Sequence, residues 1–203
     1  MIAIRLEARF LRAAFVAVFA CLSLSGCISA KMYVDPGLPA VAKADLPLAP
    51  HPEPVQVLFE FRTKGNANAK ATARIAPRVI SAATASGLFT QVSNTPQDGA
   101  GILKIVIDNV PLTDNAAAKG FGTGLTFGLA GSIVTDGYIC TASYSRGGHT
   151  TETTLKHSIY TTIGNHEGPK GLTAMEPESA VNLAMDQMAW NALKQLADKH
   201  AFD

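Results

Sequence analysis

The side chains able to do chemistry are few and scattered. Asp136, His157 and a serine such as Ser143 or Ser158 supply the residue types of an acid–base–nucleophile relay. The Gly-x-Ser-x-Gly elbow that would expose such a serine is absent. His149, His157 and His166 fall on or near the later predicted strands. They lack the His-x-x-x-His spacing of a metal site, and no cysteine pair is present to complete one. The glycines around residue 124 are not followed by the Lys-Ser/Thr of a phosphate loop. These patterns predict no catalytic residue, no metal and no cofactor. There are three cysteines. Cys140 sits in the apolar run Tyr138-Ile139-Cys140-Thr141-Ala142 and reads as a small buried hydrophobe. Cys27 is different: it closes the run Leu24-Ser25-Gly26-Cys27, directly after an apolar stretch.

What precedes Cys27 explains it. Arg5, Arg9 and Arg12 make a basic opening, with Glu7 the one opposing charge, and residues 13–24 are uncharged and mostly apolar. That stretch suits the core of a secretory signal and is too short for a membrane-spanning helix, which needs roughly 20 residues. Ser25 and Gly26 are the small residues a signal peptidase requires. The ordered set resembles the signal peptide and lipobox of a bacterial lipoprotein. The resemblance implies a diacylglycerol on the Cys27 thiol, cleavage after residue 26, and acylation (palmitate-type) of the new amine. Two or more acyl chains hold a protein stably on a membrane, at about 0.8 kcal/mol per buried methylene. Ile28 stands where an aspartate commonly retains such lipoproteins in the inner membrane. The implied location is the outer membrane, at its periplasmic face.

The 203-residue chain has room for one domain. Its formal charge is +1, and loss of Arg5, Arg9, Arg12 and Glu7 with the signal leaves about −1. Bulk charge therefore gives no indication of nucleic acid as a partner. Residues 27–54 hold six of the eleven prolines and predict an extended, lipidated tether. Val41, Leu46 and Leu48 are the residues that would dock if this segment wrapped the domain instead. Residues 55–203 predict a single domain. Val55, Val57, Phe59 and Phe61 alternate as in a half-buried strand. An alanine-rich helix follows over residues 68–86, with Gly87 as its stop. A buried strand spans residues 102–110, and two more, 137–145 and 151–163, meet at Arg146-Gly147-Gly148. A final helix over 178–199 carries the stripe of Val181, Ala184, Met185, Met188, Ala192 and Leu196. The order β-α-β-β-β-α, with a glycine-rich insertion, predicts an α+β domain with two helices against a mostly antiparallel sheet. The join Ser86-Gly87-Leu88-Phe89 through Val92 resembles that of small envelope lipoproteins, the cell-wall-synthase activators of the LpoB type and secretion lipoproteins of the CsgG type.

Three features are candidates for contact. Residues 120–134 carry no charge, and Gly120, Gly124 and Gly128 recur every four positions. On a helix they would give a face open to close backbone approach; as strands they would make a hairpin. A structural loop, a surface for another copy or a partner, and a membrane-inserting hairpin (residues 116–136) all fit. Lys70, Arg74 and Arg78 are spaced by four and share one helix face, read either as solvated or as meeting an anionic lipid, lipopolysaccharide or an acidic partner. Trp190 lies nine residues from Val181 and so opposite the main stripe, either covered by another element or anchoring a partner. Together these predict a non-enzymatic outer-membrane lipoprotein that binds or supports another envelope component. The alternative is a self-assembling subunit, a homo-oligomer joined or inserted through the glycine-rich hairpin.

Overall fold

In a computed structural model, the structure describes residues 30–112, 133–164 and 167–203. Strands β1 (Ala30–Val34), β2 (Glu53–Thr63), β3 (Asn66–Ala67), β4 (Phe89–Ser93), β5 (Gly101–Pro111), β6 (Ile133–Arg146) and β7 (His149–Ile163) form one sheet. Helices α1 (Ala69–Ser86) and α2 (Pro177–Asp198) complete the fold, which is α+β. The strand order is β1-β7-β6-β5-β2-β3, with β4 also on β2. β1–β7, β7–β6, β6–β5 and β2–β3 are antiparallel, whereas β2 runs parallel to both β4 and β5. The parallel pairs are consistent with α1 being the crossover between β2 and β4.

Local chemistry explains the elements. Asn68 caps α1 by accepting from the Ala71 N–H at 3.0 Å, and Gly87 ends it in the left-handed region at φ 75°. The β6–β7 turn is Gly147-Gly148, with φ of 56° and 82°, as a two-residue hairpin requires. Alternation then sorts the side chains. Val55, Val57 and Phe61, with Leu103, Ile105 and Ile107, face the helices together with Tyr138, Cys140 and Ala142, and with Leu155 and Ile159. Met185, Met188, Leu193 and Leu196 of α2 and Ile75 and Val79 of α1 close the core from the other side. The opposite sheet face carries Gln56, Leu58, Glu60, Lys104, Thr141 and Thr154.

The N-terminal segment departs from the expected tether. Residues 30–34 are an edge strand on β7, so the ordered unit begins before residue 55. Pro39 accepts a hydrogen bond from the Asn191 side chain of α2 at 2.9 Å, and Leu46 is buried in the core. Leu38, Val41 and Ala49 pack against the same core. One buried leucine contributes roughly 2 kcal/mol, and ordering a residue costs about 1–2 kcal/mol. The docked state therefore needs all these contacts together. Prolines are compatible with it because they lower the entropy of the free segment. Among the described residues, no helix is long and apolar enough to cross a membrane.

Candidate functional site

The residues singled out in the sequence do not converge. Cys27, Gly120, Gly124 and Gly128 lie outside the described residues. Lys70 and Arg74 are exposed on α1. Arg78, expected on the same face, instead donates to both carboxylate oxygens of Asp186 on α2, from Nε at 2.9 Å and from a terminal nitrogen. That hydrogen bond raises the Arg78 pKa. The three-residue basic stripe is thus reduced to two exposed cations, with the third joining the helices. Four-residue spacing turns each position about 40° further round a helix, and Arg78 is the one turned far enough to reach α2. Trp190 is half-buried and packs against the core, next to the Asn191 that holds Pro39.

The relay residues are split by the pleat. Asp136 and His157 lie on the helix-facing side of the hairpin, whereas Ser143 and Ser158 lie on the other. His157 is buried, with Nε2 2.8 Å from the Gln187 side-chain oxygen, and burial lowers its pKa. Cys140 is fully buried and its pKa is pushed up to about 12 by desolvation, which leaves the thiol unreactive.

Two features were missed in the sequence. The first is Asp35, which lay in the presumed tether. It is buried, with one oxygen accepting from Ser158 Oγ at 2.9 Å and Tyr160 Oη at 2.7 Å, and the other accepting from the Gly37 N–H at 2.7 Å. Its own N–H donates to the Ser158 carbonyl at 3.0 Å. This cluster latches the N-terminal segment to β7. Gly168 lies so close to Tyr33 that an added Cβ would fall 2.1 Å from the ring. The loop after β7 therefore covers this part of the sheet.

The second feature is a groove at the β2 edge, with a volume of about 420 Å³. It is lined by residues 57–60 of β2, Ala76 and Ile80 of α1, Asn94 just after β4, and Lys104 of β5. β4 pairs with β2 up to Gln56, and β3 pairs with it from Arg62 onward. Between them, residues 57–61 have no strand partner on this side among the described residues. Glu60 on the outer lip is ion-paired with Arg62 at 2.6 Å, and that hydrogen bond holds its carboxyl below the usual range. Lys104 is exposed beside it. No sequence signal marks the groove, because it arises from where two neighbouring strands stop.

No protein-family profile matches the chain, and no curated protein matches it. Solved structures give distant likenesses. The chain is similar to a minor lipoprotein from Acinetobacter baumannii at 13% identity and a TM-score of 0.42, over 76% of this chain and 96% of that one. It is similar to the rare lipoprotein B from Shewanella oneidensis at 8% identity and a TM-score of 0.44, over 73% and 96%. A PelC dodecamer from Paraburkholderia phytofirmans gives 10% identity and a TM-score of 0.33, over 82% and 96%. At this distance the likenesses say nothing about what this chain binds.

Proposed function

We propose that this chain is a lipid-anchored, non-enzymatic binding or accessory module of the bacterial envelope, held by Cys27 at the periplasmic face of the outer membrane. The observation that carries the reading is the ordered N-terminal sequence: basic residues, an apolar core, Leu24-Ser25-Gly26 and then Cys27. The described fold begins at Ala30, three residues beyond Cys27. An acylated Cys27 would therefore hold the sheet close to the lipid surface, with β1 as the nearest strand, rather than at the end of a long tether. The groove and the outer sheet face supply surface for another envelope component.

The test is Cys27→Ser. Wild-type protein is expected to incorporate labelled palmitate and to stay with outer-membrane fractions through salt and carbonate washes. The variant is expected to lose the label and leave the membrane. Retention of the variant on membranes through those washes would overturn the anchor.

A further inference from the structure

We infer that the sheet stands upright on the lipid surface by one strand end, formed by Ala30 of β1 and Ile163 of β7, with Ile163 as an apolar contact beside the acyl anchor. The inference deepens the lipid-anchor reading and rests on it. Register fixes which residues share this end. Ala30 pairs with Ile163, and Ile133, the first residue of β6, pairs with Thr162. Three neighbouring strands therefore start or stop in one row. β5 ends at Pro111, opposite Asp136 of β6, and so points the same way. The chain between β5 and β6 thus leaves and returns at this end, and residues 120–134 of the sequence carry no charge.

Chain length keeps this end at the membrane. The step from Cys27 to Ala30 spans at most about 11 Å when fully extended. Ile163 lies one strand further on, about 5 Å away. An acylated cysteine sits in the interfacial layer of the bilayer, which is about 5–8 Å thick on each side, so Ile163 is within reach of that layer. β7 runs for 15 residues from His149 to Ile163. Its far end therefore stands roughly 46 Å away at the usual strand rise. Burial and charge favour the upright pose over a flat one. Ile163 is 46% exposed, an apolar side chain at a rim that lipid would cover. The outer sheet face instead presents Lys104, Glu152 and Lys156, all exposed. Lying on that face would draw these groups out of water, which is costly for a charge. Near the strand end, exposed Lys31 and Glu176 carry opposite signs, Glu176 following the Met175 that bridges Met32. The contact is therefore apolar rather than electrostatic, and salt should not weaken it.

The test uses the lipidated protein, produced from the full chain and reconstituted in vesicles of phosphatidylethanolamine and phosphatidylglycerol. One cysteine is introduced by Ile163→Cys or, at the far hairpin, by His149→Cys, and is labelled with the environment-sensitive dye NBD. Cys140 is buried and Cys27 is acylated, so neither takes the dye. Circular dichroism confirms that both variants are folded. Quenching by lipids spin-labelled at the headgroup is expected to be at least about fivefold stronger at position 163 than at position 149, because the two lie far apart along β7. It should be the same at low and high salt. Equal quenching at the two positions would mean that the sheet lies flat. Quenching at neither would mean that the domain is held off the lipid, and loss of the signal at position 163 in high salt would make the contact electrostatic. Each of these results would overturn the inference. The palmitate assay on the same preparation separates the failures. Labelled protein with any of these patterns loses only the orientation, whereas unlabelled protein loses the anchor and the orientation with it.

Discussion

Asp35 shows how much one side chain can decide. A carboxylate in the protein interior is tolerated only when its oxygens are hydrogen-bonded, and Asp35 has Ser158, Tyr160 and Gly37 as donors. Asp35→Ala would remove the acceptor from two buried hydroxyls. The expected loss is on the order of 2–4 kcal/mol, since each unsatisfied buried group costs about 1–3 kcal/mol. Asp35→Asn, which keeps one acceptor oxygen, should lose less. Urea unfolding of the three proteins measures it, and an Asp35→Ala midpoint equal to wild type would show that the latch contributes nothing. In the sequence, Asp35 precedes Pro36 and looks like a turn residue. Its partners lie more than 120 residues away, and no local pattern encodes them. Cys140 was legible for the opposite reason: a cysteine within an alternating strand is buried by that strand's own period.

At the scale of elements, the strongly patterned segments were read correctly. α1 is bounded by Asn68 and Gly87, and the β6–β7 hairpin by its two glycines, because caps and turns are local chemistry. β1, β3 and β4 were not recognised as separate strands. β3 has two residues and β4 and β1 five each, too short to show a period. The basic face of α1 was legible as a stripe but not in its use. Lys70→Gln and Arg74→Gln should leave stability within about 0.5 kcal/mol, as exposed changes usually do. Arg78→Gln should cost up to about 1 kcal/mol, because its pair with Asp186 is partly exposed and such pairs are worth little. A double-mutant cycle over Arg78 and Asp186 measures the coupling, and an Arg78→Gln loss no greater than that of Lys70→Gln would remove the pair as a bond between the helices.

For the whole molecule, the N-terminal segment is part of the fold. β1 covers the β7 edge, the segment after it crosses α2 at Pro39, and Leu46 enters the core. A fragment starting at residue 55 is therefore expected to be strongly destabilised, with a melting temperature lower by at least about 10 °C. A loss of a few kcal/mol shifts a domain of this size by roughly that amount. Thermal unfolding of the fragment beside the chain starting at residue 28 checks it, and equal melting would return residues 28–54 to the role of a free tether. The same view accounts for Trp190. Opposite the main stripe of its helix, it is still half-buried, because α2 lies between the sheet, α1 and the N-terminal segment and so has apolar neighbours on more than one side.

The sequence by itself determined the signal-like N-terminus, the two helices, the long strands and the α+β class, since each depends on periodicity, capping or residue order within a short window. Tertiary structure alone decided which side of the pleat Asp136, His157, Ser143 and Ser158 occupy relative to one another, that Arg78 meets Asp186, that Asp35 is buried, and that β2 keeps an open edge. These depend on register and on where neighbouring strands stop. A shift of one residue in pairing moves a side chain to the opposite face, and a groove left between two strand ends belongs to neither strand's sequence.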